Sequence, residues 1–83
     1  MTFRLVFSDE AVSELRKLDN ATAKRILDSL ERAASRPAHY LERLTGRVDY
    51  KLRVGDYRVL AKLDNKEKVV FILSLGHRKN IYR

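Results

Sequence analysis

The sequence predicts a single small α+β domain over residues 1–83, with an α-hairpin packed on one face of an antiparallel meander in the order β-α-α-β-β-β. Two consecutive stretches with apolar residues at helical spacing predict the hairpin. Three later stretches with apolar residues at alternate positions, separated by turn residues, predict the meander. The chain shows no repeat, no low-complexity tract and no linker.

Phe3, Leu5 and Phe7 alternate with Arg4 and Val6 and read as the first strand. Ser8 is placed to cap a helix, with Asp9 and Glu10 in the first turn, where the helix dipole favours anions. Ala11, Leu15 and Leu18, with Val12 beside them, form its apolar stripe. Asp19-Asn20 interrupts this helix and caps a second, which is predicted to bury Ala23, Ile26, Leu27, Leu30 and Ala33–Ala34 and to stop before Pro37. Such a pair needs a sheet to cover. Val48, Tyr50, Leu52 and Val54 alternate with Arg47, Asp49, Lys51 and Arg53. Gly55-Asp56 suits a two-residue type II′ turn. Tyr57, Val59, Ala61 and Leu63 then alternate with Arg58, Leu60 and Lys62. Residues 64–68 form a polar loop, and the nearly continuous apolar run from Val69 to Leu75 suits a strand in the middle of a sheet.

A two-residue turn sets the register. Val54 faces Tyr57, Leu52 faces Val59, Tyr50 faces Ala61 and Val48 faces Leu63, all apolar and all toward the helices. With Leu63 opposite Val69, the strand's Phe71, Leu73 and Leu75 join that face. The other face then carries Arg53 directly across from Arg58, Lys51 one pair further along, and Lys62 against Asp49. Like charges opposite one another destabilise a sheet, and an anion shared between two guanidinium forks removes the repulsion. The alternative is a solvated face with chance basic residues. Leu60, Val70 and Ile72 are expected on this same open face, covered by the tail or by a partner. After Gly76 the tail brings His77, Arg78, Lys79, Tyr82 and Arg83.

Charge supports the anion. The chain carries 18 Lys and Arg against 11 Asp and Glu, a net of +7. Residues 1–46 hold eight basic and seven acidic residues, and residues 47–83 hold ten and four, so the C-terminal part supplies +6 of that excess. This asymmetry points to a polyanion, with nucleic acid ahead of a membrane because no basic amphipathic helix accompanies it. The chain has no cysteine, hence no disulfide or thiolate zinc site. No Ser-His-Asp set, glycine-rich phosphate loop or metal-ligand spacing of His39 and His77 is present. No apolar run approaches the roughly 20 residues that cross a bilayer, and the N-terminus is too short for a secretory core, so a cytoplasmic protein is expected. Arg, Lys, Tyr and His suit phosphoryl transfer without metal or cofactor. RNA fits best, because its 2′-hydroxyl is an attached nucleophile that needs only positioning and a base.

Leu44-Thr45-Gly46, the segment from Tyr50 to Val59 with Arg53-Val54-Gly55-Asp56-Tyr57-Arg58 at its centre, and Leu75-Gly76-His77-Arg78 with Tyr82 resemble the RelE/ParE toxin superfamily, across essentially the whole chain. The RelE branch implies a toxin that cuts mRNA on the ribosome and is neutralised by a cognate antitoxin, here expected to be acidic and amphipathic. The resemblance implies catalytic roles for Lys51, Arg58, Arg78 and Tyr82. It implies that Arg53 helps to position the phosphate. Lys62, His77, Lys79 and Arg83 are expected from their charge and placement to hold RNA, with Leu60, Val70 and Ile72 as the apolar strip that meets the antitoxin. Well-known members carry a second lysine where this chain has Asp49, so Lys51 and His77 both stand as candidates for the general base. A ParE-like gyrase poison and a non-catalytic module that binds RNA or antitoxin are the competing readings.

Overall fold

Two short polar side chains start the first two helices in the computed structural model, which describes residues 2–44 and 49–77. Strand β1 (Arg4–Phe7) ends at Ser8, whose Oγ accepts from the Ala11 amide at 3.0 Å and caps helix α1 (Asp9–Arg16). Asp19 caps helix α2 (Asn20–Ser35), with one carboxylate oxygen accepting from the Thr22 hydroxyl at 2.6 Å and the other from the Thr22 amide at 3.1 Å. Those two bonds, the hydroxyl first, hold the Asp19 carboxyl below its ordinary value. A carboxyl depressed by folding contributes stability that is present above its unfolded pKa and fades as pH falls through its folded one. Asp19→Ala is therefore expected to lower the urea midpoint at neutral pH. The difference from the native chain should close in strong acid, as paired urea titrations at the two pH values would measure.

Helix α2 stops where predicted. Arg36 leaves helical geometry at φ −146° and ψ 71°, as the residue before a proline tends to do, and Pro37 opens a one-turn helix α3 (Pro37–Tyr40). A two-residue strand β2 (Glu42–Arg43) follows, then β3 (Tyr50–Val54), β4 (Tyr57–Asp64) and β5 (Val69–His77). Helix α3 and strand β2 add to the predicted order. The sheet runs β1-β5-β4-β3-β2, with β1 parallel to β5 and the other neighbours antiparallel. It is therefore mixed, where an antiparallel meander was expected. The chain leaving β1 crosses one face through α1 and α2 to the far edge and returns strand by strand, which brings β5 beside β1 in the same direction. Ala11, Ile26, Leu30 and Ala33 from the helices pack on Val54, Val59, Ala61, Val70, Ile72 and Leu75. Leu27, predicted in this core, is 37% exposed.

The β3–β4 pairs are those the turn predicts: Val54 with Tyr57, Leu52 with Val59, Tyr50 with Ala61. Val48 lies outside the described residues. The next hairpin differs. Leu63 faces Val70, not Val69, because Asp64 and Val69 close a four-residue loop. In it Asp64 Oδ1 accepts from the Lys66 and Glu67 amides at 3.0 and 2.9 Å, and Lys68 takes a left-handed φ of 58°. A shift of one residue exchanges the two faces of a strand. Val70 and Ile72, expected on the open face, are accordingly fully buried against the helices. Phe71, expected inside, pairs with Lys62 and is 39% exposed. A β-bulge then restores the parity. Ala61 pairs with Ile72 but Leu60 with Ser74, so Leu73 is the extra residue and Leu75 returns to the core opposite Val59. Ser8 Oγ donates to the Leu73 carbonyl at 2.6 Å, tying the cap of α1 to the bulge. Among the described residues no helix is long and apolar enough to cross a membrane.

Candidate functional site

The β3–β4 hairpin is the scaffold of the site. Gly55 has φ +59° and Asp56 is not in the left-handed region, which makes the turn type II′. Val54 and Tyr57 close it by the ladder, so Arg53 and Arg58 form the next, non-hydrogen-bonded pair. In such pairs the Cα atoms approach to about 4.5 Å and the side chains crowd one another. The predicted arginine pair is present, with Arg53 exposed and Arg58 half-buried. Lys51 pairs with Leu60 on one side and, across β2, with Glu42 on the other.

Lys51, Arg53 and Arg58 converge with Tyr40 and Glu42 on a concavity of about 230 Å³. Lys51 Nζ lies 3.5 Å from Glu42 Oε1, a rim contact of small energetic weight because Glu42 is largely solvated. Tyr40 and Glu42 were not anticipated as site residues. The sequence carries no clear signal for them: Tyr40 ends the one-turn helix α3 and partly packs on the core, and Glu42 opens a strand of two residues. The donor set is cationic and phenolic, suited to a phosphate ester. Among the described residues no group of three metal-ligating side chains comes together.

The remaining predicted residues divide. Lys62 is exposed on the open face beside Phe71 and does not line the concavity. Strand β3 begins at Tyr50, so the expected pairing of Lys62 with Asp49 is not part of the ladder. Asp49 is instead buried just before it, its carbonyl accepting from the Leu44 amide at 3.0 Å. His77 pairs with Tyr57, and alternation from buried Leu75 puts it on the helix side, its ring edge-on to Tyr57 at 5.6 Å between centroids. It is therefore separated by the sheet from Lys51 and Arg58. Arg78, Lys79, Tyr82 and Arg83 lie outside the described residues. Leu60 is half-buried on the open face as expected. Its apolar companions there are not Val70 and Ile72 but Val6 and Phe71, which pair across β1 and β5 and are 36% and 39% exposed.

The family profile described as ParE toxin of type II toxin–antitoxin system, parDE, matches residues 5–82. The mRNA interferase toxin RelE of Escherichia coli is 29% identical over 82 residues, which cover 95% of this chain and 86% of that protein. A chain of the archaeal RelE–RelB complex from Pyrococcus horikoshii superposes with a TM-score of 0.78 at 30% identity, over 96% of this chain and 99% of the other. The toxin–antitoxin complex RelBE2 from Mycobacterium tuberculosis shares the fold, with a TM-score of 0.83 at 22% identity over 94% and 100% of the two chains.

Proposed function

This chain belongs to the RelE/ParE superfamily of type II toxins, and we propose that it is a cytoplasmic toxin that arrests translation by cutting mRNA on the ribosome until a cognate antitoxin binds it. The observation that carries this reading is the convergence of Lys51, Arg53 and Arg58 on one concavity of the open sheet face. Two guanidinium forks side by side match the oxygens of a single phosphate, and their attraction for it grows as charge builds on those oxygens. Arg58, the more enclosed, stabilises that charge, and Arg53 positions the phosphate. The 2′-hydroxyl attacks phosphorus, a 2′-O–P bond forms, and the bond to the 5′-oxygen breaks. Lys51 either takes the proton from the 2′-hydroxyl or gives one to the leaving 5′-oxygen. His77, on the far face, is the weaker candidate for the base. By family likeness, Arg78 assists Arg58 and Tyr82 orients a base.

The antitoxin is expected to be acidic and amphipathic. Leu60, Val6 and Phe71 offer it an apolar strip beside the basic site, and its carboxylates offset the excess of positive charge. The ParE name of the profile favours one other reading, a gyrase poison on the same fold. The gathering of Lys51, Arg53 and Arg58 on one hollow favours RNA cleavage over that reading, because cations placed together there stabilise the charge of a scissile phosphate.

The products decide. Attack by the 2′-hydroxyl leaves a 2′,3′-cyclic phosphate, or the 3′-phosphate from its opening, and a 5′-hydroxyl. Mass spectrometry of a defined mRNA cut on translating ribosomes should find those ends, and an mRNA with deoxyribose at the cut site should survive. A 5′-phosphate product, or cleavage of the deoxy-substituted message, would rule the mechanism out.

A further inference from the structure

Arg53 lines a second concavity as well as the first. A cleft of about 540 Å³ runs between helix α2 and the β3–β4 turn, and its lining includes Lys24, Arg25, Arg32 and Arg53. Asp28, the one carboxylate lining it among the described residues, is taken up by Lys24 at 3.0 Å. Arg25, Arg32 and Arg53 are exposed. Arg25 and Arg32 stand two turns apart on the same side of α2, about 10.5 Å along its axis. Arg25 also reaches the turn. Its guanidinium lies over Gly55, where an added Cβ would come within 3.1 Å of Nη1. The helix thus delivers a cation to the very turn that leads into the Arg53–Arg58 pair. Gly55, with no side chain, leaves the guanidinium room to lie there without adjustment.

We propose that this cleft carries the RNA backbone flanking the scissile phosphate, with Arg25 and Arg32 as phosphate contacts beyond Arg53. The inference rests on the proposed RNA cleavage and names where the rest of the strand runs. A protein partner fits the cleft less well, because among the described residues only Ala21 and Val54 line it with apolar side chains and leave a hydrophobic anchor little to bury. A strand of phosphates needs no such anchor, and the salt dependence of its binding reports the number of contacts.

The test uses the whole chain and two non-cleavable single-stranded RNAs, a dinucleotide confined to the smaller hollow and an oligonucleotide long enough to reach α2. Each loss of a single-strand phosphate contact should flatten the slope of log affinity against log salt by about 0.7. Arg25→Ala/Arg32→Ala is expected to weaken the long RNA, to flatten its slope by about 1.4, and to leave the dinucleotide unchanged. Arg32→Gln, which spares the contact over Gly55, should flatten it by about 0.7. Arg58→Ala should weaken both RNAs. Native affinity and slope for the long RNA in the double variant, with Arg58→Ala still impaired, would overturn the α2 path and leave the cleavage site standing. Arg58→Ala binding both RNAs as the native chain does would instead remove the site itself. Loss of antitoxin affinity without loss of RNA affinity in the double variant would assign the cleft to the antitoxin and also overturn the proposal.

Discussion

Arg58→Ala is expected to slow ribosome-dependent cleavage by about a hundred- to a thousand-fold, the usual consequence of removing one preorganised donor to a developing oxyanion. Arg58 is half-buried in β4, and Arg53 faces it across the hairpin. Enclosure raises the worth of its charge, and the strand fixes where the fork points. Folding should lose little. The variant relieves the repulsion between two like charges placed opposite each other but also gives up the contacts of a half-buried side chain, so thermal and urea unfolding should move by only about 1 kcal/mol. Arg58→Lys keeps the charge and gives up the bidentate fork, and is expected to recover only part of the rate. A Lys variant as active as the native chain would reduce the fork to a point charge. An Ala variant as active would move the scissile phosphate away from this pair altogether.

That pair was legible in the sequence because the geometry that creates it is local. Gly55-Asp56 admits one tight turn, the turn admits one register, and the register puts Arg53 opposite Arg58. The caps at Ser8 and Asp19 are equally local, each set by a side chain and an amide three residues away. What was misread lies where local rules leave a choice. A four-residue loop between Asp64 and Val69 can be drawn with either parity, and period-two alternation cannot arbitrate in a run as uniformly apolar as Val69–Leu75. The bulge at Leu73 then breaks the alternation itself. Its signal is not in β5 but 65 residues away, in the hydroxyl of Ser8 that satisfies the Leu73 carbonyl. Separation in the chain also hides Arg25 over Gly55, a contact between elements with no shared pattern. Strand β2 is too short to show a period, although Glu42 and Tyr40 complete the hollow around Lys51.

The register of β5 makes the second large prediction. Ile72→Ala is expected to cost about 2–5 kcal/mol, the range for truncating a large aliphatic side chain in a packed core. Ile72 is completely buried between Ala61, its partner on β4, and the helices, and Phe7 of β1 pairs with it from the other side. A domain of this size is stable by only about 4–12 kcal/mol, so the loss takes a large share of the whole and should show as a strongly lowered urea midpoint with an unchanged m-value. Phe71→Ala, one residue away, is expected to behave in the opposite sense. Its ring is substantially exposed on the open face, so stability should change little while antitoxin affinity falls, because that ring belongs to the strip the antitoxin is expected to bury. The two neighbours therefore separate core from interface in a single pair of measurements. If Ile72→Ala unfolds like the native chain and Phe71→Ala is the one that collapses, β5 pairs in the other register. Val70 and Ile72 would then face outward, and the antitoxin strip would have to be redrawn around them.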